Sequence, residues 1–294
     1  MRLRSTAILS TFLLCASLLY ADCAQDNRDN KNGGILVTDF NISGTQAVSA
    51  TELAGLTGNF VGACFNEDSE EIAERVRAQF QDRGFFAVEV KHITFKPGDP
   101  LGNPKPVTVE ADVTEGPRYR LADITFVDNH AFSPQRLREA FPLKTGAVFE
   151  RRKVASGLET LRKLYGKSGY LDFISIPETD PSSNATMSLQ ISVQEGPQYH
   201  MGKLEIAASK EAAGRLRMEW KLPEGSVYDY SYLDKYIEAN RDLLPAGFTR
   251  DKVQMVSDCP HALVDLKLII DAAEDKSPQQ PKDVPCESTK DNPK

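Results

Sequence analysis

Apolar and polar residues alternate along three stretches of this chain. Val107, Val109, Ala111 and Val113 are spaced by Thr108, Glu110 and Asp112; Met187, Leu189, Ile191 and Val193 by Ser188, Gln190 and Ser192; Val264, Leu266, Leu268 and Ile270 by Asp265, Lys267 and Ile269. A period of two predicts strands with one buried and one mostly wet face, as in a sheet covered on a single side. Upstream of each run lies a helical stripe: Ile72, Val76 and Phe80; Val154, Leu158, Leu161 and Leu164; and, more weakly, Leu233, Tyr236 and Ile237. Glycine plus aromatic follows each stripe, as Gly84-Phe85, Gly169-Tyr170 and Gly247-Phe248. Glycine in that place fits a left-handed cap that ends a helix and turns the chain.

The surrounding segments complete a repeated unit. Strand-like Ile35–Phe40, Leu121–Phe126 and Lys203–Ile206 open the three copies, and Ser133-Pro134 marks the start of a short first helix. An aromatic recurs as Cys64-Phe65, Val148-Phe149 and Val227-Tyr228, and a second strand is expected at Phe86–Thr94, Tyr170–Ile176 and Thr249–Val256. The predicted fold is α+β: three tandem β-α-α-β-β modules, each a three-stranded mixed sheet with two helices on one face. The phrase Glu115-Gly116-Pro117-Arg118-Tyr119 returns 80 residues later as Glu195-Gly196-Pro197-Gln198-Tyr199. Self-similarity at a fixed period identifies an array of modules. Boundaries follow at 34–118, 119–199 and 200–273, with a leader at 1–24, a linker at 25–33 and a polar tail at 274–294.

The two Glu-Gly-Pro-x-Tyr junctions, the turn Asp128-Asn129-His130-Ala131-Phe132 and the glycine-aromatic before the second strand together resemble the POTRA (polypeptide-transport-associated) domain. Such domains stand in tandem before the membrane barrel of outer-membrane barrel-assembly factors and two-partner-secretion transporters. The likeness is closest over 119–199. In the family the turn usually carries a glycine where this chain has Asp128. Residues 96–105 add an insertion to the first module, and Ala272-Ala273-Glu274-Asp275 replaces the terminal junction of the third.

Composition narrows the setting. A net charge of −7 without a basic stripe argues against nucleic acid. Arg2 and Arg4 before an apolar run from Thr6 to Tyr20, then small Ala21 and Ala24, read as a secretory leader. An uncleaved anchor is the alternative reading. The expected location is the periplasm, with association to the outer membrane. Residues 276–294 hold almost nothing apolar and read as a disordered tail, so no barrel is expected in this chain.

Export makes disulfides plausible. A Cys259–Cys286 bridge would close a loop of 27 positions, and Cys23 could pair with Cys64; Cys64 as a small core residue is the competing reading. The four histidines, His92, His130, His200 and His261, are scattered, and Asp172, Glu178 and Asp180 read as solvated positions. No catalytic group, cofactor, metal or small-molecule substrate is expected.

The function expected is therefore that of a non-catalytic scaffold. Gly116, Pro117 and Tyr119, with Gly196, Pro197 and Tyr199, read as stiff elbows between modules, or alternatively as hinges whose angle matters for client passage. The resemblance implies that the second strand of each module is a sheet edge to which a client adds a strand. The candidate edge residues are Phe86, Val88 and Val90; Leu171, Phe173 and Ser175; and Val253 and Met255. Charges such as Glu89, Lys91 and Asp172 alternatively serve only to blunt those edges. Expected partners are unfolded outer-membrane polypeptides, a barrel-bearing membrane assembly protein, or both. The rival reading is a structural adaptor that binds folded envelope or division proteins.

Overall fold

The computed structural model describes residues 35–65, 68–99 and 105–271. The expected leader, linker and tail, with Cys23 and Cys286, lie outside them. Close contacts divide the chain into two compact units, one of residues up to 121 with 145–152 and 181–187, the other of 122–144, 153–180 and 188 onward.

The first unit contains β1 (Ile35–Ser43), α1 (Ala50–Thr57), β2 (Cys64–Phe65), α2 (Ser69–Gln81), β3 (Glu89–Pro97) and β4 (Lys105–Thr114). Its sheet runs β2-β1-β4-β3, four strands where three were expected. The extra strand is only Cys64–Phe65, antiparallel to Ile35–Leu36. β1 lies parallel to the central β4, while β3 joins β4 as an antiparallel hairpin. A parallel neighbour needs a long crossover, and α1 and α2 supply it. Ser49 and Glu52 form a reciprocal capping box on α1, and Asp68 accepts the Glu70 and Glu71 amides at the start of α2. Ile72, Val76 and Phe80 bury the predicted stripe against Val107, Val109, Ala111 and Val113.

β5 (Arg120–Val127), α3 (Pro134–Arg138), α4 (Arg151–Lys167), β6 (Ile174–Pro181) and β7 (Thr186–Gln194) form the middle module, with sheet order β5-β7-β6. Ser133 caps α3 with Pro134 at its first position, as the sequence indicated. The buried face of α4 centres on Gly157, Leu161 and Tyr165, so Val154, Leu158 and Leu164 flank the expected stripe and are only half-buried. The cause is Gly157: a Cβ there would lie 2.1 Å from Cδ1 of Phe141, so its absence lets that ring press against the helix.

The third module contains β8 (His200–Ala207), α5 (Lys210–Glu219), α6 (Tyr232–Ala239), β9 (Val253–Asp258) and β10 (Leu263–Ile269), in sheet order β8-β10-β9. β8 is parallel and β9 antiparallel to the central β10. Leu233, Tyr236 and Ile237 are buried with Val264, Leu266 and Leu268. Gly247 has positive φ but does not cap the helix. α6 ends eight residues earlier, where the buried Asn240 side chain donates to the Tyr236 carbonyl at 2.8 Å.

The second strands begin three to four residues later than predicted, at Glu89, Ile174 and Val253. Phe86 and Leu171 stand in turns, and Val88 and Phe173 are buried just ahead of their strands. The chain first tucks these apolar side chains into the interior after the glycine turn, and only then pairs. Pro177 falls inside β6 rather than ending it, which an edge strand tolerates.

Candidate edge strands and module junctions

In the second and third modules the first strand is outermost in its sheet, and in the first module β1 is flanked on that side only by the two-residue β2. In all three its opening residues are covered by the chain's own recurring aromatic segment. Val37 donates to the Ala63 carbonyl at 3.1 Å and accepts from Gly62 at 2.8 Å. Leu121 does the same with Ala147 and Gly146, both at 2.8 Å, and Met201 with Ser226 and Gly225 at 2.8 and 2.7 Å. Isolated bridges pair Arg120 with Val148 and His200 with Val227, which correspond to β2 of the first module. One margin of each sheet is thus partly occupied from within.

The other margin is β3, β6 or β9, each the last strand of its sheet. β6 exposes Ile174 by 52% and Ile176 by 40%, and β9 exposes Val256 by 45%, all on margins with no further strand among the described residues. Of the candidate edge residues, Val90, Ser175, Val253 and Met255 belong to these strands, whereas Phe86, Val88, Leu171 and Phe173 do not. Phe173 stacks on Tyr165 with centroids 4.0 Å apart, and Phe86 meets Phe149 edge-on at 4.9 Å. Asp172 also leaves the strand: its carboxylate accepts the Tyr199 hydroxyl at 2.8 Å, so it anchors a tyrosine instead of blunting an edge.

The junction phrase makes the same bonds twice. The Tyr119 amide donates to the Gly84 carbonyl at 2.8 Å, and its carbonyl accepts from Phe149 at 2.9 Å. Tyr199 bonds to Gly169 and Tyr228 at the same two distances. Arg118 and Gln198, one residue earlier, donate side-chain bonds to the carbonyls of Arg83 and Ser168, both 2.9 Å. Gly169 has φ of +87°, and a Cβ there would stand 2.7 Å from the Tyr199 carbonyl oxygen. Gly196 has φ of +71°, with a hypothetical Cβ 2.9 Å from Cβ of Asp172. Both constraints exclude a side chain. Burial together with the Asp172 bond pushes the Tyr199 hydroxyl up to about 12.

Sequence reasoning missed the glutamates that open the phrase. Glu195 Oε1 accepts from the His130 and Ala131 amides and from the Tyr165 hydroxyl, each at 2.9 Å. Burial acts to raise its carboxyl, but the two amides and the tyrosine outweigh burial and hold it below the usual range. Glu115 likewise accepts the Gln46 and Ala47 amides. Each glutamate ties the loop after a module's first strand to the end of its last strand. The one available signal was the glutamate's recurrence in both phrases. Asp128, in the loop held by Glu195, has φ of +62°, the conformation for which its glycine counterpart is suited.

Cys64 and Cys259 are both disulfide-bonded, which sets aside Cys64 as a mere core residue. Among the described residues no group of three or more His, Cys, Asp or Glu is placed to hold a metal ion.

The POTRA family model, described as surface antigen variable number repeat, matches residues 35–116 and 119–196. A putative outer membrane protein assembly factor of Treponema pallidum is 28% identical over 139 residues, 47% of this chain and 16% of that protein. Outer membrane protein assembly factor BamA of Neisseria meningitidis is 26% identical over 125 residues, 38% of this chain and 16% of its own length. The chain therefore matches about a sixth of each of these relatives. In fold it is similar to POTRA domains 3–5 of Haemophilus influenzae BamA, with a TM-score of 0.54 at 18% identity, covering 80% of this chain and 96% of that one.

Proposed function

Because the chain belongs to the POTRA surface antigen variable number repeat family, we propose that it is a periplasmic, non-catalytic scaffold acting in outer-membrane protein assembly, and that it holds extended polypeptides by adding them as strands to β3, β6 and β9. The observation that carries this reading is the asymmetry of the sheets. The first-strand margin is partly taken by the chain's own segment, while the second-strand margin has no strand partner among the described residues and, on β6 and β9, presents exposed Ile174, Ile176 and Val256. An unpaired row of donors and acceptors beside apolar side chains is suited to accept a strand.

Energetics set the mode of binding. Four to six added backbone bonds contribute about 0.5–1.5 kcal/mol each. Ordering the client costs roughly 1–2 kcal/mol per residue. Single margins then bind weakly and with little sequence preference, and tandem copies raise the effective affinity through linkage. The proposed clients are unfolded outer-membrane polypeptides, and the proposed docking partner is a barrel-bearing assembly protein. The junction phrases act as elbows between modules.

Photo-cross-linking in intact cells tests this. A cross-linker at Ile176 or Val256 captures unfolded barrel precursors, and one at Val61, exposed beside the covered margin, does not. Capture of folded envelope proteins alone would favour the adaptor reading, and equal capture at Val61 would sink the edge assignment.

A further inference from the structure

Between α4, α6 and β9 lies a pocket of about 390 Å³ whose apolar wall is formed by Tyr170, Leu171, Phe173, Tyr230 and Met255. All of these belong to the second compact unit. Met255 also belongs to β9, where it pairs with Leu266 on one side and, among the described residues, has no strand on the other. Its sulfur lies 3.8 Å from the hydroxyl of the buried Tyr228, so its side chain faces the helical side of the sheet.

This places the pocket in register with the open margin. A strand added to β9 would set one residue opposite Met255, with Cβ atoms roughly 4.5–5.5 Å apart. Side chains of neighbouring strands at paired positions share a face. That one residue would therefore project on the Met255 side, towards the pocket. Its volume lies within the range of small-ligand sites, roughly 300–1,000 Å³, ample for one large side chain.

The rim carries charge. Arg162 is engaged with Glu159 through two bonds of 2.8 and 2.9 Å, Lys163 is 3.5 Å from the same carboxylate, and Asp234 is paired with Arg250 at 2.9 Å. Lys167, at the end of α4, is the rim cation without an ion pair among the described residues. The rim therefore leaves a positive charge to be answered.

We infer that this pocket is a side-chain selectivity site, which takes a large apolar or aromatic residue of a strand added to β9, from a segment that also carries an acidic residue two positions away. The inference rests on the proposed strand addition and extends it from sequence-tolerant pairing to recognition of a side chain.

The test uses the full chain and a fluorescein-labelled ten-residue peptide of alternating Thr and Val. Its central apolar position is Phe or Ala, and the position two residues on is Asp or Lys. Anisotropy gives the affinities, and the Met255 methyl resonance, assigned by Met255→Leu, reports location. Phe should bind roughly tenfold or more tightly than Ala, Asp about two- to fivefold more tightly than Lys, and the Phe ring should shift the Met255 methyl. Gly166 lines the pocket within α4, and a Cβ there would lie 3.5 Å from Cβ of Tyr230, an ordinary contact. Gly166→Leu should therefore fill the space and abolish the Phe preference without weakening the Ala peptide, and Lys167→Glu should reverse the Asp preference. Equal binding of Phe and Ala peptides to the unaltered protein would overturn the pocket while leaving strand addition standing. A Phe preference with an unmoved Met255 methyl would overturn the location. Failure of every peptide to bind would overturn both readings.

Discussion

Replacing Glu195 isolates the contribution of a single residue that spans 65 positions of sequence. Its carboxylate receives three hydrogen bonds, from the His130 and Ala131 amides and the Tyr165 hydroxyl. The glutamate side chain is only 12% exposed, and Tyr165 is fully buried. Glu195→Ala removes the acceptor and leaves the buried hydroxyl unsatisfied, at about 1–3 kcal/mol. The two amides gain access to water when the side chain is cut back, so they add less. A total loss of about 2–4 kcal/mol follows. Glu195→Gln keeps an acceptor oxygen and the shape while losing the charge, and should cost about 1 kcal/mol.

The pH dependence separates a charge effect from a packing effect. The folded carboxyl titrates below its unfolded value. Its charge therefore stabilises the fold fully above the unfolded value, roughly pH 4.3, and the stabilisation is lost as pH falls through the lower folded value. Urea unfolding followed by circular dichroism at pH 7 and pH 3 measures the gap between the native protein and Glu195→Gln, which should narrow at the lower pH. A loss under about 0.5 kcal/mol for Glu195→Ala, within the ordinary range of a surface substitution, would refute the reasoning. So would a Glu195→Gln gap that does not change with pH.

Two further outcomes are expected. Gly169→Ala places a Cβ 2.7 Å from the Tyr199 carbonyl at a φ of +87°, whereas Gly247→Ala, at +76°, meets nothing within 4 Å. Gly169→Ala should lower the melting temperature several degrees more than Gly247→Ala, whose cost is the backbone penalty of about 1–2 kcal/mol alone; equal shifts would remove the steric argument. Absorbance titration should show Tyr165, Tyr199, Tyr228 and Tyr236 ionising late, with Tyr199 and Tyr228 near 12. Because the folded values are raised, the neutral hydroxyls stabilise the fold below about pH 10 and that contribution fades above it. Tyr199→Phe should remove one late-titrating group, and an unchanged alkaline profile would contradict its assignment.

Much of the architecture was legible because it is written in short-range periodicity. The central strands β4, β7 and β10 were visible as alternation, since each lies mid-sheet with one face on the core. The stripe of α2 and the Ser133-Pro134 start of α3 followed from side-chain spacing and cap chemistry that act within one turn. Errors arose where a distant residue decides a local outcome. Phe141 pressing on Gly157 rotates the buried face of α4, whereas α6 stops at a local cap, the Asn240 side chain bonded to the Tyr236 carbonyl four residues back, which carries no periodic signal. Leu171 and Phe173 alternate like strand residues, yet the pocket wall and the Tyr165 ring claim them first.

By itself the sequence settled the α+β class, the threefold β-α-α-β-β order and the recurrence of the Glu-Gly-Pro-x-Tyr phrase. Periodicity, caps and glycine turns are properties of neighbours along the chain. Only the tertiary structure decided which sheet margin is partly occupied by the chain itself and which stands open. It alone revealed why the junction phrase begins with glutamate, and that Met255 on an edge strand also walls a pocket. Each of those depends on partners dozens of residues away, and a hydrogen bond or packing contact at that separation leaves no period in the sequence to read.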